Sequence, residues 1–151
     1  MTKIFKFFLI FLFLSSCGFK IVNRTEIPNY YISKIHTKGD KKINYIIRNN
    51  FTENVIDQNK KPLDLYIETN KTKKIKEKNI KNEITKQSIN IDVIIRFKKS
   101  NNITEEIFIS KSGEYKMNDQ HSQTLTNEKK LIEILSENIS EEILLKIKES
   151  L

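Results

Sequence analysis

An α+β fold is what this sequence predicts: a mostly antiparallel four-stranded sheet with two helices packed on one face, in the order β-α-β-β-β-α. Three observations predict it. Apolar residues alternate with polar ones at period two over several central runs. In two other segments they recur at three- and four-residue spacing, giving one apolar stripe each. The chain also holds one cysteine, so its core must form without an internal disulfide, and 151 residues suffice for that. No internal repeat is visible.

The chain opens with a segment outside this domain. Residues 1–6 carry Lys3 and Lys6 and no acid, and residues 7–14 (FFLIFLFL) are unbroken apolar. Eight such residues fit the apolar region of a signal peptide and fall far short of the ~20 needed to cross a bilayer as a helix. Then comes Leu14-Ser15-Ser16-Cys17-Gly18, an aliphatic residue and two small ones before the only cysteine. This is the pattern of a lipobox. Small side chains admit a peptidase at the scissile bond, and the Cys17 thiol is the group that takes lipid, palmitate among its acyl chains. Each buried methylene contributes ~0.8 kcal/mol, so two or more chains give stable anchoring. The expected division is a signal peptide over 1–16, a lipidated tether over 17–29, and one domain over 30–151. Gly18 in place of Asp after the cysteine favours onward sorting to the outer membrane.

Pro28 lacks an N–H and holds Ile27 extended, which makes the end of the tether a strand lead-in. Residues 30–35 (YYISKI) are aromatic and β-branched and predict the first strand, with Ile35 and Tyr31 inward and Gly39-Asp40 closing it. Ile43, Ile46, Ile47, Phe51, Val55 and Ile56 then form a helical stripe running to about Gln58. Asp40 is placed to cap it, and Lys60-Lys61-Pro62 to stop it.

Leu63, Leu65 and Ile67 alternate with Asp64, Tyr66 and Glu68, a strand with one wet face. Between about 69 and 82 the alternation dissolves into lysines, which predicts a hairpin tip. Ile89, Ile91, Val93, Ile95 and Phe97 give the clearest strand, and Ile107 and Ile109 the next, extending past Gly113 with a bend there. Residues 119–126 read as a polar loop. A final helix is expected from Thr126 or Asn127, with Leu131, Leu135, Ile139, Ile143 or Leu144, and Ile147 as its apolar stripe, broadened by Ile132 and Ile134.

Chemistry-bearing motifs are sparse. His36 and His121 stand in unrelated contexts, and no metal-ligand spacing, nucleophile elbow or glycine-rich phosphate loop occurs. The expectation is a protein without catalysis, metal or cofactor. The net charge of +8 would invite nucleic acid in the cytosol, but export leaves anionic headgroups or an acidic protein instead. Lys71, Lys73, Lys74, Lys76, Lys78 and Lys81 concentrate that charge.

The string Cys17-Gly18-Phe19-Lys20, followed by this element order and a long last helix, resembles the lipopolysaccharide-assembly lipoprotein family, LptE. Tyr115 near the end of the last strand also matches a recurring family feature. The resemblance implies a small domain plugging the outer-membrane β-barrel LptD from the periplasmic side, without catalysis. Lipopolysaccharide would arrive from a periplasmic bridge protein and pass to the outer leaflet. The six lysines are the expected phosphate contacts, by location and charge rather than by a matched residue. The tether lacks the glycine-rich character of better-known members. The alternatives are another outer-membrane lipoprotein acting as a general assembly or binding module, and a secreted hydrolase with a dispersed site.

Overall fold

The structure, a computed structural model, describes residues 27–51, 59–98 and 103–151. Cys17, Gly18, Phe19 and Lys20 lie outside these, as do Val55 and Ile56 of the first helical stripe. Its elements are β1 (Tyr30–Gly39), α1 (Lys41–Phe51), β2 (Lys61–Lys78), β3 (Ile84–Lys98), β4 (Thr104–Lys116) and α2 (His121–Ser150). The order is the one the sequence predicts.

The four strands form one sheet in the order β1-β2-β3-β4. β1 runs parallel to β2, with α1 in the connection between them, while β2, β3 and β4 are joined antiparallel. The sheet is therefore mixed, with two of its three pairings antiparallel. Residues 61–69 of β2 pair with β1, and β2 continues to Lys78 without it.

One face of the sheet carries the core. Leu63, Leu65 and Ile67 of β2, Ile89, Ile91, Val93, Ile95 and Phe97 of β3 and Ile109 of β4 are at most 2% exposed. Each such side chain contributes roughly 1.5–3 kcal/mol when fully removed from water. From α1 this layer receives Ile43, Ile47 and Phe51, and from α2 Ile132, Leu135, Ile139, Ile143 and Ile147. The two helices touch each other over that face. Buried Ser136 and Ser140 keep α2 narrow there, each hydroxyl donating to the carbonyl four residues back, at 2.7 and 2.8 Å.

Several local expectations are corrected. Tyr30, Ile32 and Ile35 pack against the core, whereas Tyr31 is half-buried and outside that set. A register shift between Ile32 and Lys34 puts both isoleucines inward at a spacing that plain alternation forbids. Ile27 joins the core at 2% exposure, three residues before β1. Lys61 and Pro62 open β2 instead of merely stopping a helix; β3 first pairs at Leu65, so the missing Pro62 N–H costs no ladder bond. Gly113 sits in an unbroken register opposite Ile89, with no bulge.

The last correction concerns α2, which begins at His121 rather than at Thr126 or Asn127. Its first turns are polar and weakly helix-forming, which is why periodicity misses them. Thr124, 4% exposed, holds them: its hydroxyl accepts from the Asn118 N–H at 2.8 Å and lies 3.2 Å from the Asn118 carbonyl. Asp40 does cap α1, its Oδ1 accepting from the N–H groups of Lys42 and Ile43 at 3.0 and 3.1 Å.

Candidate functional site: the lysine-rich half of the second strand

The expected lysine-rich tip is mostly strand. Lys71, Lys73, Lys74, Lys76 and Lys78 lie along β2, and only Lys81 is in the turn. That turn is built by Asn79, whose side chain accepts from the Lys81 and Glu83 N–H groups, and by Asn82 at φ 64. Lysines hide the strand from a hydrophobic reading because their alternation is not of polarity. The register reveals it: Lys71 stands beside Ile91 and Lys73 beside Ile89, on the helix side, while Lys74 stands beside Ser88 on the other side.

The two helix-side lysines meet acids supplied by the helices. Lys71 Nζ is 2.7 Å from Asp40 Oδ2, and Lys73 Nζ is 2.5 Å from Glu128 Oε1. Lys71, Asp40 and Glu128 are partly shielded and Lys73 is exposed, so solvent and salt screen the Lys71–Asp40 pair less than the Lys73–Glu128 pair. Burial pushes the Glu128 carboxyl up, but Lys73, Tyr115 and Lys71 outweigh it and hold the group below the usual range. Asp40 behaves likewise: burial raises it, and Lys71 with the two capping N–H groups lowers it further.

Tyr115 lies under this cluster. Its hydroxyl is 2.5 Å from Gln87 Oε1 and 3.2 Å from Glu128 Oε2, and the residue is 6% exposed. Burial, and then the negative Glu128 beside it, push the phenol up to about 12. So Tyr115 joins β3, β4 and α2 through one polar knot, with Lys73 bringing in β2.

The remaining lysines face outward. Lys76 stands 3.7 Å from Glu114, and Lys78 donates to Asn82 Oδ1 at 2.9 Å. The ammonium groups of Lys74 and Lys81 have no ion pair among the described residues. The six lysines are thus not equivalent: Lys71 and Lys73 are structural, and Lys74, Lys78 and Lys81 offer charge to an external anion. Sequence spacing could not separate them without the register.

On the face that neither described helix covers, Tyr66 and Phe108 are 51% and 58% exposed, flanking half-buried Ile94 and Arg96. The His36 ring stacks on Tyr66 with centroids 4.7 Å apart. His36 also lines an open depression with Arg48 and Phe51, while His121 merely starts α2. Among the described residues no group of three His, Cys, Asp or Glu is placed to hold a metal.

No family model matches the sequence, and no curated protein matches it. Solved structures do resemble the fold. Rare lipoprotein B from Shewanella oneidensis superposes with a TM-score of 0.62 at 9% identity, over 78% of this chain and 96% of that one. A minor lipoprotein from Acinetobacter baumannii gives 0.58 at 12% identity, over 81% and 92%. Lipoprotein B from Nitrosomonas europaea gives 0.52 at 12%, over 81% and 86%. This chain has the fold of these bacterial lipoproteins. At such identities the likeness is one of architecture, and no residue role passes with it.

Proposed function

We propose that this chain is a lipoprotein of the outer membrane, anchored through Cys17 on the periplasmic side, and a non-enzymatic partner of a β-barrel in lipopolysaccharide export. The barrel in this reading is LptD, which the domain plugs and helps to assemble. Lipopolysaccharide arriving from the periplasmic bridge meets the outward ammonium groups of Lys74, Lys78 and Lys81. Lysine suits that task as a mobile point charge that binds phosphate without fixing its geometry.

One observation carries the reading: a domain with a lipoprotein fold follows a Leu-Ser-Ser-Cys-Gly-Phe-Lys string at residues 14–20. The sheet face that no described element covers, with Tyr66 and Phe108 exposed, supports it as a surface for a barrel wall. The test is purification of the protein from detergent-solubilised outer membrane, with mass analysis of its N-terminus and of whatever accompanies it. The expected result is a chain starting at acylated Cys17, together with a barrel protein. A chain starting at Met1 with an unmodified thiol removes the anchor. An acylated chain with no barrel protein leaves the lipoprotein and removes the plug.

A further inference from the structure

β1 ends at Gly39, opposite Thr69, and among the described residues β2 runs on through 70–78 with β3 on one side only. The vacant side is the place in the sheet that β1 occupies one segment earlier. The hydrogen-bond parity of the strand follows from two contacts. Lys61 N–H donates to Asn29 O at 2.9 Å, so odd residues of β2 aim their backbone groups toward β1. Met117 N–H donates to Thr85 O at 2.9 Å, so odd residues of β3 aim at β4 and even ones at β2. Both give the same answer. Pairing is regular through Ile75, so Lys71, Lys73 and Ile75 present N–H and C=O groups to the vacant edge.

We propose that this edge accepts an extended acidic segment of a partner protein, which adds to the sheet in line with β1. Charge selects the occupant. Lysines recur along the edge, and Lys41 and Lys42 stand exposed at the start of α1 beside it. A second copy of the same edge would set lysine against lysine, which opposes self-pairing. An acidic strand reverses that sign, with carboxylates beside Lys74 and Lys76. Main-chain bonds supply the pairing and the lysines supply the choice. The register shifts after Ile75 end the accepting stretch. This inference does not depend on the lipoprotein reading.

The probe is a nine-residue peptide alternating Glu and Val, added to the full chain while amide hydrogen exchange is followed residue by residue. Exchange at Lys71, Lys73 and Ile75 should slow about tenfold or more, and at Thr72 and Lys74, already bonded to β3, it should not change. Ile75→Pro removes one outward N–H without touching the β3 ladder and should weaken peptide binding several-fold. The double variant Lys74→Glu/Lys76→Glu keeps every N–H and should favour the corresponding Lys-Val peptide instead. Binding without protection of the three odd amides would overturn the proposal, as would equal binding of Glu and Lys peptides. Protection of those amides by anionic lipid vesicles, but not by the peptide, would also overturn it, in favour of a lipid surface.

Discussion

Leu131 of α2 rests directly on Gly113 of β4: a methyl group added at Gly113 would lie 2.6 Å from Leu131 Cδ1. The helix approaches the sheet there because β4 offers no side chain. Gly113→Ala should destabilise the fold by about 1–2 kcal/mol, since the Leu131 tip must shift. Leu131→Ala should make Gly113→Ala nearly harmless. Denaturant unfolding of the two single variants and the double one measures this coupling, and simple additivity would refute the contact.

At Gly39 the obstacle is backbone, not a side-chain tip. Its φ is +103, and an added Cβ would fall 1.9 Å from the Thr69 carbonyl oxygen. Gly39→Ala should therefore cost roughly 3 kcal/mol or more, with both the strained backbone and the β1–β2 ladder contributing. Thermal unfolding should show the larger loss at Gly39 than at Gly113.

Asp40→Ala should lower stability by about 1 kcal/mol through loss of the α1 cap, and further because Lys71 loses its partner. Asp40→Asn should recover most of the capping component while leaving the Lys71 component lost. Urea midpoints of the two variants separate the contributions.

The Tyr115–Glu128 contact should mark both ends of the pH profile. Glu128 is held below its ordinary 4.5, so its contribution is complete above that pH and disappears as pH falls through the lower folded value. Glu128→Gln should cost about 1–2 kcal/mol at neutral pH and flatten the acid limb. Tyr115 is raised from 10.0 to about 12, so its contribution is complete below pH 10 and fades as pH rises toward 12. In an ultraviolet titration one of the five tyrosines should ionise late, and Tyr115→Phe should abolish that late step.

Where burial imposes a period, the sequence is readable. Residues 63–67 and 89–97 alternate because one face meets the helices, and the α1 and α2 stripes repeat because one side of each meets the sheet. Legibility stops where polar groups do the holding. The first turns of α2 depend on Thr124 and Asn118, and the far half of β2 depends on Asp40 and Glu128, residues distant along the chain. The lysine run was visible as charge, but its division between structural and outward groups was not, since that follows from register. Nothing in the spacing around Tyr115 foretells its contacts with Gln87 and Glu128, which come from folding alone.

The parallel pairing of β1 with β2 has a kinetic consequence. β2, β3 and β4 follow one another closely along the chain, so their meander closes from neighbouring sequence. β1 must wait for α1 and the segment behind it to bring Ile32 and Ile35 alongside Leu63 and Leu65. Of the four described strands, the one synthesised first should therefore be the last to dock. Until it does, the nascent meander exposes a bare flank, and lysines guard only its far half. Substitutions that slow the closing of α1 should thus lengthen that interval, and raise misassembly more than they lower the final stability.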